Sequence, residues 1–390
     1  MRQLLNGNES TALAARLARV EVLASYPITP ASPAMEQITR YIAEGTLKAK
    51  FVRVESDHSA LAAAVGAALA GARPLVVTNS QGLAYMSEVL YHASGLRLPV
   101  VMALVNRAMA APHSRFPDHG DAVAQEACGW IQLFCENNQE VMDTMIQAFR
   151  LAEDERVRLP VMVNYESYLQ SHTREVVEVP AAEAVDGFLP LRRQPALDLD
   201  HPQAVNVVTG PDLYMDYKYQ QDTALQEAGK VMAEVCAEYA KLTARDWGGA
   251  LQGHRLEDAE HVIVTMGSLV STSREAVDLL REKGSRAGLL KVRAFRPFPL
   301  DEVRRSLSPS KTVTVLDKNI IPGVGGALAR EVRAALHGAN PVPPVHSYIV
   351  GLGGRDVSTD DVCKLYGRTE QKIQARGEPG AYEWYGLGTS

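Results

Sequence analysis

Short apolar runs alternate with helix-period segments along the chain, and this alternation constrains the fold more than any other feature. The runs VEVLASY (20–26), PLVV (74–77) and LPVVMALV (98–105) are strand-length and largely apolar, and KFVRVES (50–56) and RLPVMVNYES (158–167) also read as strands. Between them lie the helical segments PAMEQITRYIAEG, closed by Gly45, the alanine-rich DHSALAAAVGAALAGA, GLAYMSEVLYHASG and NQEVMDTMIQAFRLAED. Strands without inside–outside alternation are buried on both faces, and strand–helix–strand succession gives them parallel neighbours. The expected class is α/β, with helices on both faces of a parallel sheet. Upstream, ESTALAARLARVE reads as a helix with Asn8 or Ser10 as its cap.

Prolines at 180, 190, 195, 202 and 211 break the pattern over 178–219, which reads as an irregular connector. The helix TALQEAGKVMAEVCAEYAKL (223–242) follows it. A second α/β region then begins, with strands HVIVTMG, AGLLKVRAFRPF (a strand and a loop) and TVTVLDK around the helices SREAVDLLREKG and DEVRRSL. A chain of 390 residues fits two such domains, which we place at 1–178 and 255–390 around a connector at 179–254.

Composition excludes several function classes. With 46% hydrophobic and 22% charged residues the chain is an ordinary globular protein. A net charge of −6 offers no basic field to nucleic acid. No apolar run approaches the ~20 residues of a membrane span, and no signal-peptide pattern opens the sequence, so a cytoplasmic protein is expected. Cys128, Cys135, Cys236 and Cys363 are not spaced as cluster or zinc ligands; they read as buried free thiols. No metal site is assigned to this chain.

Chemistry in open parallel sheets collects beyond the carboxyl ends of the strands. Thr29 sits there, in YPITPASP (26–33), where three prolines stiffen the loop and hold its hydroxyl. Asp57 follows the next strand, NSQG (79–82) the third, and Asn106 and Arg107 the fourth. Each has a plainer role open to it. Thr29 serves equally in a tight turn, Asp57 as a helix cap, NSQG as a turn, and Arg107 in an ion pair with Asp118 or Asp121. Gly120–Asp121 with Asn137–Asn138 superficially matches a diphosphate–magnesium motif, but Ala122 and the short separation make it a coincidence. GVGGALAREV (323–332) lacks the glycine spacing of a nucleotide loop.

Taken together, YPITPASPAMEQI, VESDHSALAAAVGAALAGAR, TNSQGLAYMSEVLYHASGLRLPVVMALVNRAMAAP, CENNQEVMDTMIQAFRLAED and VRAFRPFP resemble the alpha subunits of 2-oxoacid:ferredoxin oxidoreductases. The resemblance runs over about 1–375, is strongest in 20–175, and is closest to the pyruvate branch; phenylglyoxylate dehydrogenase belongs to the same wider group. It implies a thiamine-diphosphate-binding, pyrimidine-type parallel-sheet domain followed by a transketolase-C-terminal-like α/β domain. It also implies CoA-dependent oxidative decarboxylation of a 2-oxoacid. A beta subunit would bring Mg2+ and the diphosphate site, and gamma and ferredoxin-like delta subunits the [4Fe-4S] clusters. Ferredoxin or an NAD-linked flavoprotein would accept the electrons, and the assembly would be a dimer of heteromers.

By the same resemblance Thr29 and Arg107 hold the substrate carboxylate, and Pro27, Ser80 and Gln81 border the cofactor. The family's cofactor-activating glutamate falls on Asp57, one methylene shorter, with Glu55 as the alternative. Where pyruvate-type relatives carry a tryptophan-containing stretch, this chain has HSRFPDHGD (113–121). His113 and Phe116 there suit a larger acyl pocket, with phenylglyoxylate and pyruvate as the two candidate substrates; the other reading puts this loop against a partner subunit. A non-catalytic regulatory or scaffold paralogue is the alternative function.

Overall fold

The computed structural model of the chain describes residues 1–191, 197–198, 200–375, 377 and 379–388. Pro195, one of the prolines read as breaking the connector, lies outside them. The chain opens with β1 (Arg2–Leu5), α1 (Gly7–Leu17), β2 (Val22–Ser25), α2 (Ser32–Ala43), β3 (Lys50–Arg53) and α3 (Asp57–Leu69). It continues through β4 (Pro74–Thr78), α4 (Ser80–Tyr85), α5 (Ser87–Gly95), β5 (Val101–Asn106), α6 (Gly120–Val123), β6 (Ile131–Phe134), α7 (Asn138–Ala152) and β7 (Val161–Glu166). Strands β4, β5 and β7 are buried at every residue, as their unalternating sequences require. They lie in a sheet of order β6-β7-β5-β4-β2-β3, parallel throughout.

The cap of α1 differs from the sequence reading. Asn6 caps it, with Glu9 closing a reciprocal capping box, while Asn8 and Ser10 are buried inside the helix. The connector is also more ordered than its prolines suggest. β8 (Glu175–Glu178), paired antiparallel to β1, ends at its border, and the connector itself holds α8 (Ala182–Phe188) and α9 (Pro211–Thr243), which starts well before residue 223. The first turns of α9, PDLYMDYKYQ, are exposed at every position, so no apolar stripe marks them in the sequence. Its later turns pack on α7, where Tyr239 donates to Asp143 at 2.8 Å.

The second half contains β9 (Leu251–His254), β10 (His261–Thr265), α10 (Leu269–Glu282), β11 (Ala287–Val292), β12 (Ala294–Arg296), α11 (Leu300–Leu307), β13 (Thr312–Asp317), α12 (Ala327–Leu336), β14 (Val345–Ile349), α13 (Thr359–Gln374) and β15 (Glu383–Trp384). Their sheet has the order β15-β14-β13-β10-β11-β9, parallel except for β9. The segment read as one strand and a loop, AGLLKVRAFRPF, is two strands in different sheets. After β11 the chain crosses over, and β12 joins the first sheet antiparallel to β6.

Charged side chains cement that crossing. Lys291, fully buried, donates to Glu136 at 3.0 Å and Glu140 at 2.7 Å. Arg293, also fully buried, donates to Glu140 at 3.0 Å and to Thr144, Gln147 and the Gly249 carbonyl. Arg274 completes the set on Glu136. Two cations from β11 and its C-terminal turn are thus matched by two carboxylates flanking the N-terminus of α7. Removing one partner strands the opposite charges. Lys291→Met leaves Glu136 and Glu140 without their ammonium, and we expect a loss of about 3–5 kcal/mol in urea unfolding of the chain.

Candidate active site

Strand β2 lies between β3 and β4, so the chain winds from β2 to one side and returns on the other. Such a reversal opens a crevice beyond the strands' carboxyl ends, where ligands bind. Thr29, Asp57, Asn79 to Gln81 and Arg107 all issue from these ends.

Asp57 is the first residue of α3, and the expected capping role falls instead to Ser56, whose hydroxyl accepts from the Ser59 amide. The Asp57 carboxylate is therefore free to turn inward. It is buried and accepts from the Thr78 hydroxyl at 2.8 Å. Gly82 makes room for it: a Cβ there would stand 2.7 Å from the Asp57 carboxyl carbon and 2.4 Å from the Thr78 hydroxyl. Burial raises the pKa of Asp57, with the Thr78 hydrogen bond acting in the opposite direction. Glu55 is exposed; its bond from the Ser59 hydroxyl holds it below the ordinary glutamate range. Next to Gly82, the buried Gln81 Nε2 donor has no partner among the described residues. A buried acid and an unmet buried donor at the same sheet edge suit a flat heteroaromatic ring bearing both hydrogen-bonding roles.

Arg107 is 5% exposed, yet its guanidinium meets only neutral acceptors. It donates to the carbonyls of Ser114 at 2.9 Å and Thr29 at 2.6 Å, and lies 3.4 Å from Asn79 Oδ1. Its Nη2 is 3.1 Å from His113 Nε2, which must accept, since a guanidinium only donates. Neither Asp118 nor Asp121 pairs with the guanidinium: Asp118 accepts from the Gly120 amide, and Asp121 binds the Arg107 main chain. Burial, with Arg115 nearby, lowers the Arg107 pKa. A buried guanidinium ringed by neutral acceptors, with Asp121 as the nearby acid, has the chemistry to take up a small carboxylate. Thr29 and Pro27 are exposed at the crevice, and the Thr29 hydroxyl has no partner among the described residues.

Asp121 organises this edge. Its Oδ2 accepts from the amides of Ser80 and Arg107, each at 3.0 Å, and its Oδ1 from Asn106 Nδ2 at 3.0 Å. Ser80, held with φ near 44°, is also within 2.8 Å of the Ala108 carbonyl. The sequence offers Asp121 as an ion-pair partner of Arg107 or as part of a chance motif, and NSQG as a turn. The tie made by Asp121 and the part of Thr78 in holding Asp57 are not legible there, because a lone buried acid after a glycine carries no spacing signal. His113 is exposed beside Arg107, and Phe116, 52% exposed, leans on Tyr168 with ring centroids 5.3 Å apart.

The two weak motifs have structural explanations. Asn137 caps α7, and Asn138 binds the carbonyls of Leu5 and Thr173. In the glycine-rich stretch, Asp317 occupies the N-terminus of α12, accepting from the Leu328 and Ala329 amides at 2.9 and 3.1 Å. The chain's own carboxylate thus fills the place a phosphate would take. Cys128, Cys135 and Cys236 are buried and Cys363 partly so, all as free thiols, and burial pushes Cys128 up to about 12.

Asp121→Asn turns an NH2 group toward amide donors, and we expect a loss of about 1–3 kcal/mol in unfolding free energy. Burial raises Asp121 to about 6, so the native state holds its proton more firmly than an unfolded aspartate does. Its contribution is therefore complete below about pH 4 and is lost as pH rises to about 6. The stability gap between wild type and Asp121→Asn should narrow across that window in urea titrations at stepped pH. A constant gap would mean that Asp121 titrates as an ordinary aspartate.

Comparison with known proteins identifies the family of the chain. The family described as pyruvate flavodoxin/ferredoxin oxidoreductase, thiamine diphosphate-binding, matches residues 13–237, and pyruvate:ferredoxin oxidoreductase core domain II matches 259–362. The chain is 42% identical to the pyruvate synthase subunit PorA of Methanothermobacter thermautotrophicus, covering 94% of this chain and 95% of that one. It is 41% identical to the ketoisovalerate oxidoreductase subunit VorA of Pyrococcus horikoshii, covering 99% and 98%. Among solved structures, 2-oxoglutarate:ferredoxin oxidoreductase from Magnetococcus marinus has the same fold, at TM-score 0.74 and 19% identity, over 96% of this chain and 65% of that chain. A split-gene transketolase superposes at TM-score 0.55 and 12% identity, over 93% of this chain and 97% of that one. The chain therefore belongs to the alpha subunits of the 2-oxoacid:ferredoxin oxidoreductases.

Proposed function

We propose that this chain supplies the ring-binding and carboxylate-binding half of a CoA-acylating 2-oxoacid oxidoreductase. The observation that carries the reading is the buried Arg107 guanidinium without a counter-ion, at the same sheet edge as the buried acid Asp57. Thiamine diphosphate, when bound, supplies the electron sink that decarboxylation requires. Asp57 would share a proton with its aminopyrimidine ring, and its raised pKa suits that exchange. Gln81 Nε2 would meet a ring acceptor, with Ser80 and Pro27 bordering the ring. Glu55, exposed and engaged by Ser59, stays outside this arrangement.

Thr29 and Arg107 would orient the substrate carboxylate. The guanidinium is already anchored by the Thr29 and Ser114 carbonyls, so no side-chain ordering is needed when substrate arrives. Residues 1–178 would form the pyrimidine-binding domain and 255–390 the transketolase-like one, joined through 179–254. A beta subunit would bring Mg2+ and diphosphate binding, and gamma and delta subunits the iron–sulfur clusters leading to ferredoxin or an NAD-linked flavoprotein. The whole would be a cytoplasmic dimer of heteromers.

Pyruvate is the first substrate to test, because pyruvate synthase subunits are among the relatives at about 40% identity. Phe116, half exposed against Tyr168, favours phenylglyoxylate as a second. The complex, purified through this chain, is assayed for CoA-dependent dye reduction with pyruvate, ketoisovalerate and phenylglyoxylate. Asp57→Ala should lower kcat by about 10²- to 10⁴-fold. Arg107→Ala should raise the KM for the 2-oxoacid and leave that for CoA unchanged. Unchanged turnover and cofactor retention in Asp57→Ala would remove Asp57 from the mechanism. An assembled wild-type complex inactive with every 2-oxoacid would favour a non-catalytic paralogue.

A further inference from the structure

The second α/β unit also has a switch point, between β10 and β13, but the first unit fills its crevice. Glu166, from the end of β7, accepts from Lys318 at 2.5 Å, from His119 at 3.0 Å and from the Ser268 amide at 3.3 Å. Gly267 is kept bare by this insertion: a Cβ there would stand 2.8 Å from His119 Nε2. The edge where such a sheet would bind a ligand is instead spent on holding the segment that follows Arg107.

That segment is gripped from both sides through successive groups. On the first unit's side, Ser114 O accepts from Arg107 Nε at 2.9 Å, Arg115 O from the Ser167 hydroxyl at 3.0 Å, and Phe116 O from the Ala108 amide at 3.0 Å. On the second unit's side, the Gly354 amide donates to Pro117 O and the His119 amide to Lys318 O, both at 2.8 Å. Gly354 has φ +79°, and a Cβ on it would stand 2.5 Å from the Phe116 Cβ and 2.9 Å from the Pro117 ring. Its neighbour Gly353 has φ +61°, yet a Cβ there would meet nothing nearer than the Ser114 hydroxyl at 3.8 Å.

We propose that Gly354 of the second unit determines specificity by position: its close approach to Phe116 and its bond to Pro117 fix where the segment after Arg107 stands, and so which acyl group fits. Gly354 is the positioning residue, because only a residue without a side chain lets the turn close over Phe116. The selectivity part rests on the function proposed above; the clamp itself does not.

The test pairs two glycines with similar backbone geometry. In the assembled complex, Gly354→Ala should change the ratio of kcat/KM for pyruvate over ketoisovalerate by about tenfold, with the KM for CoA unmoved. Gly353→Ala, carrying the same left-handed backbone demand but no contact with Phe116, should leave the ratio at the wild-type value. In a Phe116→Ala background the Gly354→Ala effect should largely vanish, as coupled neighbours require. An unchanged ratio in Gly354→Ala, an equal shift in Gly353→Ala, or additivity with Phe116→Ala would each overturn the proposal.

Hydrogen exchange on the purified chain reads the clamp without substrate or partners. The amides of Ala108 and His119 should exchange faster in Gly354→Ala and not in Gly353→Ala. This decides the clamp even if Gly354→Ala fails to assemble; equal protection in both variants would refute it. Were the wild-type complex inactive toward every 2-oxoacid, the proposed function would fail while the exchange result still stood.

Discussion

The geometry of the crevice depends on one fully buried carboxylate. Asp121 receives the amides of Ser80 and Arg107 on a single oxygen, so the loops leaving β4 and β5 are tied at the points where they diverge. Among the described residues, the other hydrogen bonds between the two loops come from the Ser80 hydroxyl and Asn79. A buried anion satisfied by main-chain amides is rigid in a way a salt bridge between long side chains is not, because its partners have no rotamers to lose. The cost of its burial appears as a raised pKa, and the same pattern recurs at Asp317, also raised to about 6 and held by helix amides.

The contrast between Asp121 and Arg107 is instructive. Both are buried charges, but the acid is saturated with donors while the guanidinium is surrounded by neutral acceptors. Folding tolerates the first because its hydrogen bonds replace water. The second has only neutral hydrogen-bond acceptors around it and feels the Asp121 charge without pairing to it, which is why the proposed function assigns it the substrate carboxylate. Asp57 lies between these extremes, with one hydroxyl donor and a wall of glycine.

Much of this was legible in the sequence because burial on both faces leaves an unmistakable mark. The apolar runs at β4, β5 and β7 read as buried strands and are so in the structure, and the ends of β2, β3 and β5 bring Thr29, Asp57 and Arg107 to one sheet edge. The features that stayed hidden are those made by distant pairings. Nothing local distinguishes Asp121 as a tie between loops, or Asn6 rather than Asn8 as a cap. AFR carries no sign that it leaves one sheet for another, since three residues are too few to show a period. The early turns of α9 escaped because every residue in them is exposed, so burial imposes no helical stripe on their sequence.

The seam of Lys291, Arg293, Glu136 and Glu140 bears on how the molecule can move. Hinge motion needs an interface that can part and re-form at small cost. Here parting would carry fully enclosed charges away from one another before water could reach them, and β12 would have to leave the sheet it edges. The seam therefore opposes hinge motion between the two halves of this polypeptide. Any opening that admits substrate or releases product must come from outside the seam, in loops at the crevice mouth or in whatever surface is laid over it.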